Sequence, residues 1–97
     1  MNIAFFSTKK YDQDFFDSTN TDFNHQLTFF ETGLNEHTAS LTKDFNAVCV
    51  FVNDDLNAAT IDLLAKNGIQ LIALRCAGFN NVDLKAAAEK NIKVVRV

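Results

Sequence analysis

Residues Ala47-Val48-Cys49-Val50-Phe51-Val52 form an unbroken apolar run that stops against Asn53-Asp54-Asp55. A run of this length with no polar interruption is expected of a β-strand covered by helices on both faces. Two more such runs lie to either side, Ile3-Ala4-Phe5-Phe6 near the start of the chain and Leu71-Ile72-Ala73-Leu74 within a segment from Ile69 to Leu74. The segments from Leu27 to Phe30 and from Ile92 to Val97 complete a set of five, but they carry Thr28 in the one and Lys93 and Arg96 in the other. Polar positions of that kind suit strands at the rim of a sheet. Five apolar segments separated by stretches of helical character give the alternating pattern of a parallel sheet. With segments two and five at the rims, the expected order is 2-1-3-4-5. This is an α/β, flavodoxin-like, three-layer domain with right-handed crossovers.

The stretches between the strands differ in strength. Tyr11, Phe15 and Phe16 give the first an apolar stripe, Ile61, Leu64 and Ala65 the third, and Leu84, Ala87 and Ala88 the fourth, whereas Thr38 to Phe45 is a weaker helix. Gly68 after Lys66-Asn67 reads as a helix stop. Asp54 or Asp55 is a candidate cap for the third helix, and Asn81 or Asp83 for the fourth.

Composition narrows the function classes. At 97 residues, 47% hydrophobic and 22% charged, the chain is one ordinary globular unit with a modest core. A net charge of -3 with scattered Lys and Arg offers no basic field for a nucleic-acid backbone. The N-terminus has no basic leader, and no apolar stretch approaches the roughly 20 residues of a membrane span, so a cytoplasmic location is expected, without nucleic-acid or membrane partners. Cys49 and Cys76 lack metal or redox spacing and are expected to be reduced.

In an open parallel sheet, ligands bind beyond the carboxyl ends of the strands, where the strand order reverses. Three loops meet that condition here: Ser7 to Lys10, Asn53 to Leu56, and Arg75 to Asn81. The third runs Leu74-Arg75-Cys76-Ala77-Gly78-Phe79-Asn80-Asn81-Val82-Asp83, from a strand through a glycine turn to a helix start. Backbone N–H groups at Ala77 and Gly78 can approach an anion closely, and the helix dipole favours a small carboxylate. The same residues would also serve a tight strand-to-helix turn without any ligand.

That run, together with Val48 to Asp55 and Ser7-Thr8-Lys9-Lys10-Tyr11-Asp12, resembles the N-terminal part of the D-isomer-specific 2-hydroxyacid dehydrogenases over essentially the whole chain. Asn80-Asn81-Val82-Asp83 and Val50 to Asp55 point to the lactate branch of that family. The resemblance implies that residues 1–97 are the N-terminal part of a substrate-binding (catalytic) domain, with the nucleotide-binding domain outside this chain. It implies NAD as cofactor of the intact enzyme, none bound by these residues, and a small 2-oxo acid such as pyruvate as substrate. It also implies a homo-oligomer in the intact state. Carried over residue by residue, it assigns the substrate carboxylate to the amides of Ala77 and Gly78 and the shielding of the alkyl end to Phe51. Burial statistics alone read Phe51 equally well as a core aromatic. Arg75 is a candidate carboxylate partner, or else a partner of a structural acid.

No catalytic residue is expected in this stretch. The family's Gly-rich cofactor turn and its catalytic Arg, Glu and His all lie downstream, and His25 and His37 have no neighbouring sequence partner that suggests chemistry. The chain contains no proline where average usage of about 5% would give about five. In relatives the strand resembling Val94 to Val97 runs into a proline-containing crossing to the nucleotide domain, so the chain reads as a fragment.

Two other readings share the sheet order. A phospho-receiver would need acids after the first strand, where Ser7-Thr8-Lys9 stands, and a flavodoxin would need a glycine-bearing phosphate loop there. The remaining alternative is a non-catalytic flavodoxin-like binding or assembly module, driven by exposed apolar surface.

Overall fold

The computed structural model describes residues 1–10, 14, 26–51, 54–75 and 81–96. Five short strands form one parallel sheet: β1 (Asn2–Phe5), β2 (Gln26–Phe29), β3 (Ala47–Val50), β4 (Leu71–Leu74) and β5 (Lys93–Arg96). Their order is β2-β1-β3-β4-β5, as the sequence implies. Burial follows position in the sheet. All four residues of β3 are buried, whereas the end residues of β5 and alternate residues of β2, including Thr28, are exposed.

Register decides which side chains share a face. Ala4, Val48, Ile72 and Val94 stand in one row across four strands, and Val50 and Leu74 continue that face one pleat on. Against it pack Ile61 and Leu64 of the helix Ala58–Lys66 and Ala87 of the helix Leu84–Glu89, with Phe6, Leu34 and Leu56 closing the core. Every residue of this set except Val94 is buried.

The helices Ala58–Lys66 and Leu84–Glu89 are bounded by their local chemistry. Asn57 caps the first by accepting from the Thr60 amide at 2.9 Å, and Asp83 caps the second by accepting from the Ala86 amide at 3.0 Å. Both end alike. Gly68 and Asn91 take φ of +91 and +59, Ile69 N donates to Leu64 O, and Ile92 N donates to Ala87 O. This is the left-handed stop in which two orphan carbonyls are satisfied, and it confirms the reading of Gly68. Thr38 to Phe45, expected as a weak helix, holds only a single 3-10 stretch at Ala39–Thr42. The expected helix around Tyr11, Phe15 and Phe16 lies outside the described residues.

Asp54 and Asp55 are not helix caps, which corrects the expectation from sequence. The chain is still extended at Leu56, which is fully buried and bridges to Val82, so the helix cannot begin until Asn57. For the fourth stretch the cap is Asp83, and Asn81 has a different use, described below.

Candidate functional site

The sheet order reverses between β1 and β3, so the carboxyl ends of β1, β3 and β4 lie side by side at the switch point. Arg75 directly follows β4. Its amide donates to Val50 O at 2.9 Å, and its guanidinium donates to Phe6 O, past the end of β1. The same guanidinium lies over the ring of Phe51, 5.4 Å from the centroid, a cation–π arrangement. Arg75 thereby spans the ends of three adjacent strands.

Phe51 stands just beyond β3 and is 40% exposed. It is therefore not the core aromatic that burial statistics allowed. An apolar ring left open at a switch point, with a cation over its face, is a wall that a small ligand can meet. Of the other residues expected at the site, Ala77 and Gly78 lie outside the described residues, as do Cys76 and His25. Cys49 is a buried thiol of β3.

Behind Phe51 lies a buried acid. Asp54 is only 2% exposed, and its carboxylate accepts three hydrogen bonds from three different loops. Oδ1 takes the Ser7 hydroxyl at 2.6 Å and the Leu34 amide at 2.8 Å, while Oδ2 takes the Phe51 amide at 2.8 Å. A buried carboxylate with this many donors is satisfied without a cation. Its neighbours are shaped to let it in. A Cβ on Gly33 would stand 3.1 Å from Oδ1, and Ser7 adopts φ of +56, which turns its hydroxyl into the cluster while its amide donates to Thr32 O. Asn81 closes the arrangement from the β4 side: its Nδ2 donates to Phe51 O at 2.9 Å and to Asp54 O at 3.0 Å.

Sequence reading missed Asp54, Ser7, Gly33 and Asn81 as parts of this cluster. The available signal was weak: an acid at the end of a buried strand, followed three residues later by a better cap, Asn57, whose side chain accepts from the Thr60 amide.

Elsewhere the charged groups are peripheral. His37 is exposed and 4.0 Å from Glu36. Lys90 and Lys66 bind Asp62 at 2.9 and 3.3 Å, and these two contacts, Lys90 first, hold its carboxyl below the ordinary range. No group of three metal-ligating side chains occurs among the described residues. Among them, no helix is long and apolar enough to cross a membrane.

Residues 3–97 match the family model described as D-isomer specific 2-hydroxyacid dehydrogenase, catalytic domain. The chain is 55% identical over 97 residues to 2-hydroxyacid dehydrogenase homolog 1 of Schizosaccharomyces pombe, covering 100% of this chain and 29% of that protein. The apo-structure of D-lactate dehydrogenase from Escherichia coli superposes with a TM-score of 0.97 at 49% identity, over 100% of this chain and 31% of the other. A D-lactate dehydrogenase from Lactobacillus jensenii, solved with NAD+, superposes with a TM-score of 0.87 at 26% identity, over 100% of this chain and 30% of the other. The chain thus spans about three-tenths of the length of these relatives. On sheet order, strand-end geometry and the match over residues 3–97, the chain belongs to the D-isomer specific 2-hydroxyacid dehydrogenase family and lies within its catalytic domain.

Proposed function

We propose that this chain forms the substrate side of an NAD-dependent D-lactate dehydrogenase that reduces pyruvate to D-lactate. The observation that carries the reading is the exposed Phe51 ring, held under the Arg75 guanidinium at the switch point of a sheet of this family. A flat apolar wall of one ring suits the methyl end of a three-carbon 2-oxo acid, and a nearby cation favours its carboxylate end.

In this proposal the amides of Ala77 and Gly78 hold the carboxylate, Phe51 shields the methyl group, and Arg75 orients that wall and adds positive charge. None of these groups moves a proton. They fix the carbonyl carbon in place, which converts binding energy into orientation. The bound nicotinamide would supply the hydride. The glycines Gly33, Gly68 and Gly78 have no GxGxxG spacing, and in this proposal the nucleotide site is supplied by other residues of the complete protein. A cytoplasmic homo-oligomer is proposed for the complete protein.

The test is direct. The complete protein that carries this chain is expected to oxidise NADH on addition of pyruvate, with D-lactate as the product in a chiral assay. The 97 residues alone are expected to show no saturable NADH fluorescence enhancement. A complete protein that turns over no 2-oxo acid, or NADH binding by the 97 residues alone, would overturn the proposal.

A further inference from the structure

We propose that Asp54 and Asn81 are positioning residues that set substrate size selection by pinning the backbone of Phe51. This inference rests on the substrate-side reading above and assigns a role to two residues that the reading leaves unused.

The backbone of Phe51 is held from both directions. Its N–H donates to Asp54 Oδ2, and its C=O accepts from Asn81 Nδ2 and from the Asp54 amide at 3.0 Å. An aromatic packed in a core is fixed by its ring contacts. Phe51 is 40% exposed, so its ring is fixed instead through its main chain and by Arg75 over one face. The pin is itself anchored. Asp54 is buried and reaches the loops after β1 and β2 through Ser7 and Leu34, and Asn81 ties in the loop after β4. The position of the wall is therefore set jointly by four strand ends. A loosened wall would admit longer alkyl ends and misplace short ones.

Hydrogen-bond chemistry selects the probes. In Asp54→Asn, the amide oxygen can keep the two donors at the Oδ1 position, but the NH2 then faces the Phe51 N–H, donor against donor. In Asn81→Asp, a carboxylate faces two carbonyl oxygens. Both variants strike the Phe51 contacts. Asp55→Asn removes the same charge one residue away, on an exposed side chain, and serves as the control.

The experiment is steady-state kinetics of the complete protein with pyruvate and with 2-oxobutyrate, alongside amide hydrogen exchange at Phe51 and Leu34. Asp54→Asn and Asn81→Asp are expected to lower kcat/KM for pyruvate about tenfold to a hundredfold, the scale of a small misplacement at a reacting centre. The preference for pyruvate over 2-oxobutyrate is expected to fall by several-fold, with KM for NADH unchanged, and exchange at Phe51 is expected to quicken. Asp55→Asn is expected to match the wild type. Should Asp54→Asn fail to fold, Asn81→Asp and Asn81→Ala carry the same expectation. A proportional loss on both substrates, or an unchanged preference in soluble variants, overturns the positioning role. A wild-type protein inactive on every 2-oxo acid overturns the functional reading and, with it, this role. Rapid exchange at Phe51 in an active wild type overturns the pin alone.

Discussion

Single residues show how far local rules reach. Asn57, Gly68 and Asp83 act through neighbours within four positions; Gly68 follows from the sequence alone, and Asp83 is one of the two caps it offers for its helix, beside Asn81. Gly68→Ala is expected to destabilise the protein by about 1 kcal/mol, because its φ of +91 is costly for any residue with a Cβ. A Cβ there meets nothing within 4 Å, so the cost is purely conformational. Asn57→Ala is expected to cost about 1 kcal/mol through the lost cap. Thermal or denaturant midpoints check both. Asp54 escaped the local rules because its three donors lie at Ser7, Leu34 and Phe51, and two of these are remote in sequence. A short polar side chain beside a helix start looks like a cap until long-range partners are known.

At the level of elements, apolar continuity located the five strands and polar interruption located the rims, so the sheet order was legible. Helix strength was less so. The stretch from Thr38 to Phe45 lacks a long apolar stripe and yields only a 3-10 turn, whose buried Thr42 donates back to Ala39 O at 2.7 Å. The helices Ala58–Lys66 and Leu84–Glu89 are joined by Asp62, which binds Lys90 at the C-cap of the latter and Lys66 in the last turn of its own helix. Its carboxyl is held below the ordinary value of 3.8, so the unfolded chain takes up a proton before the folded one does. The contribution is therefore complete above that value and is lost as pH falls through the lowered one. Asp62→Asn is expected to be less stable than the wild type at neutral pH, with the gap closing in acid. Denaturation midpoints measured across the acidic range test this, and a gap constant with pH would refute it.

For the whole molecule, the strand order brings the carboxyl ends of β1, β3 and β4 to one switch point, and the family match spans residues 3–97. Phe51 and Arg75 were both legible as site candidates, but their stacking was not, since it depends on how β3 and β4 pair. In the proposed function, a 2-oxo acid is held by its carboxylate at the amides of Ala77 and Gly78. Charge-assisted hydrogen bonds contribute roughly 1.5 to 3 kcal/mol each, so disturbing the turn should act on substrate binding. The most direct measurement is the kinetics of Gly78→Val in the complete protein, with pyruvate and NADH varied separately. KM for pyruvate is expected to rise by about tenfold or more while KM for NADH stays near the wild-type value. Unchanged pyruvate kinetics in a folded Gly78→Val protein would contradict it.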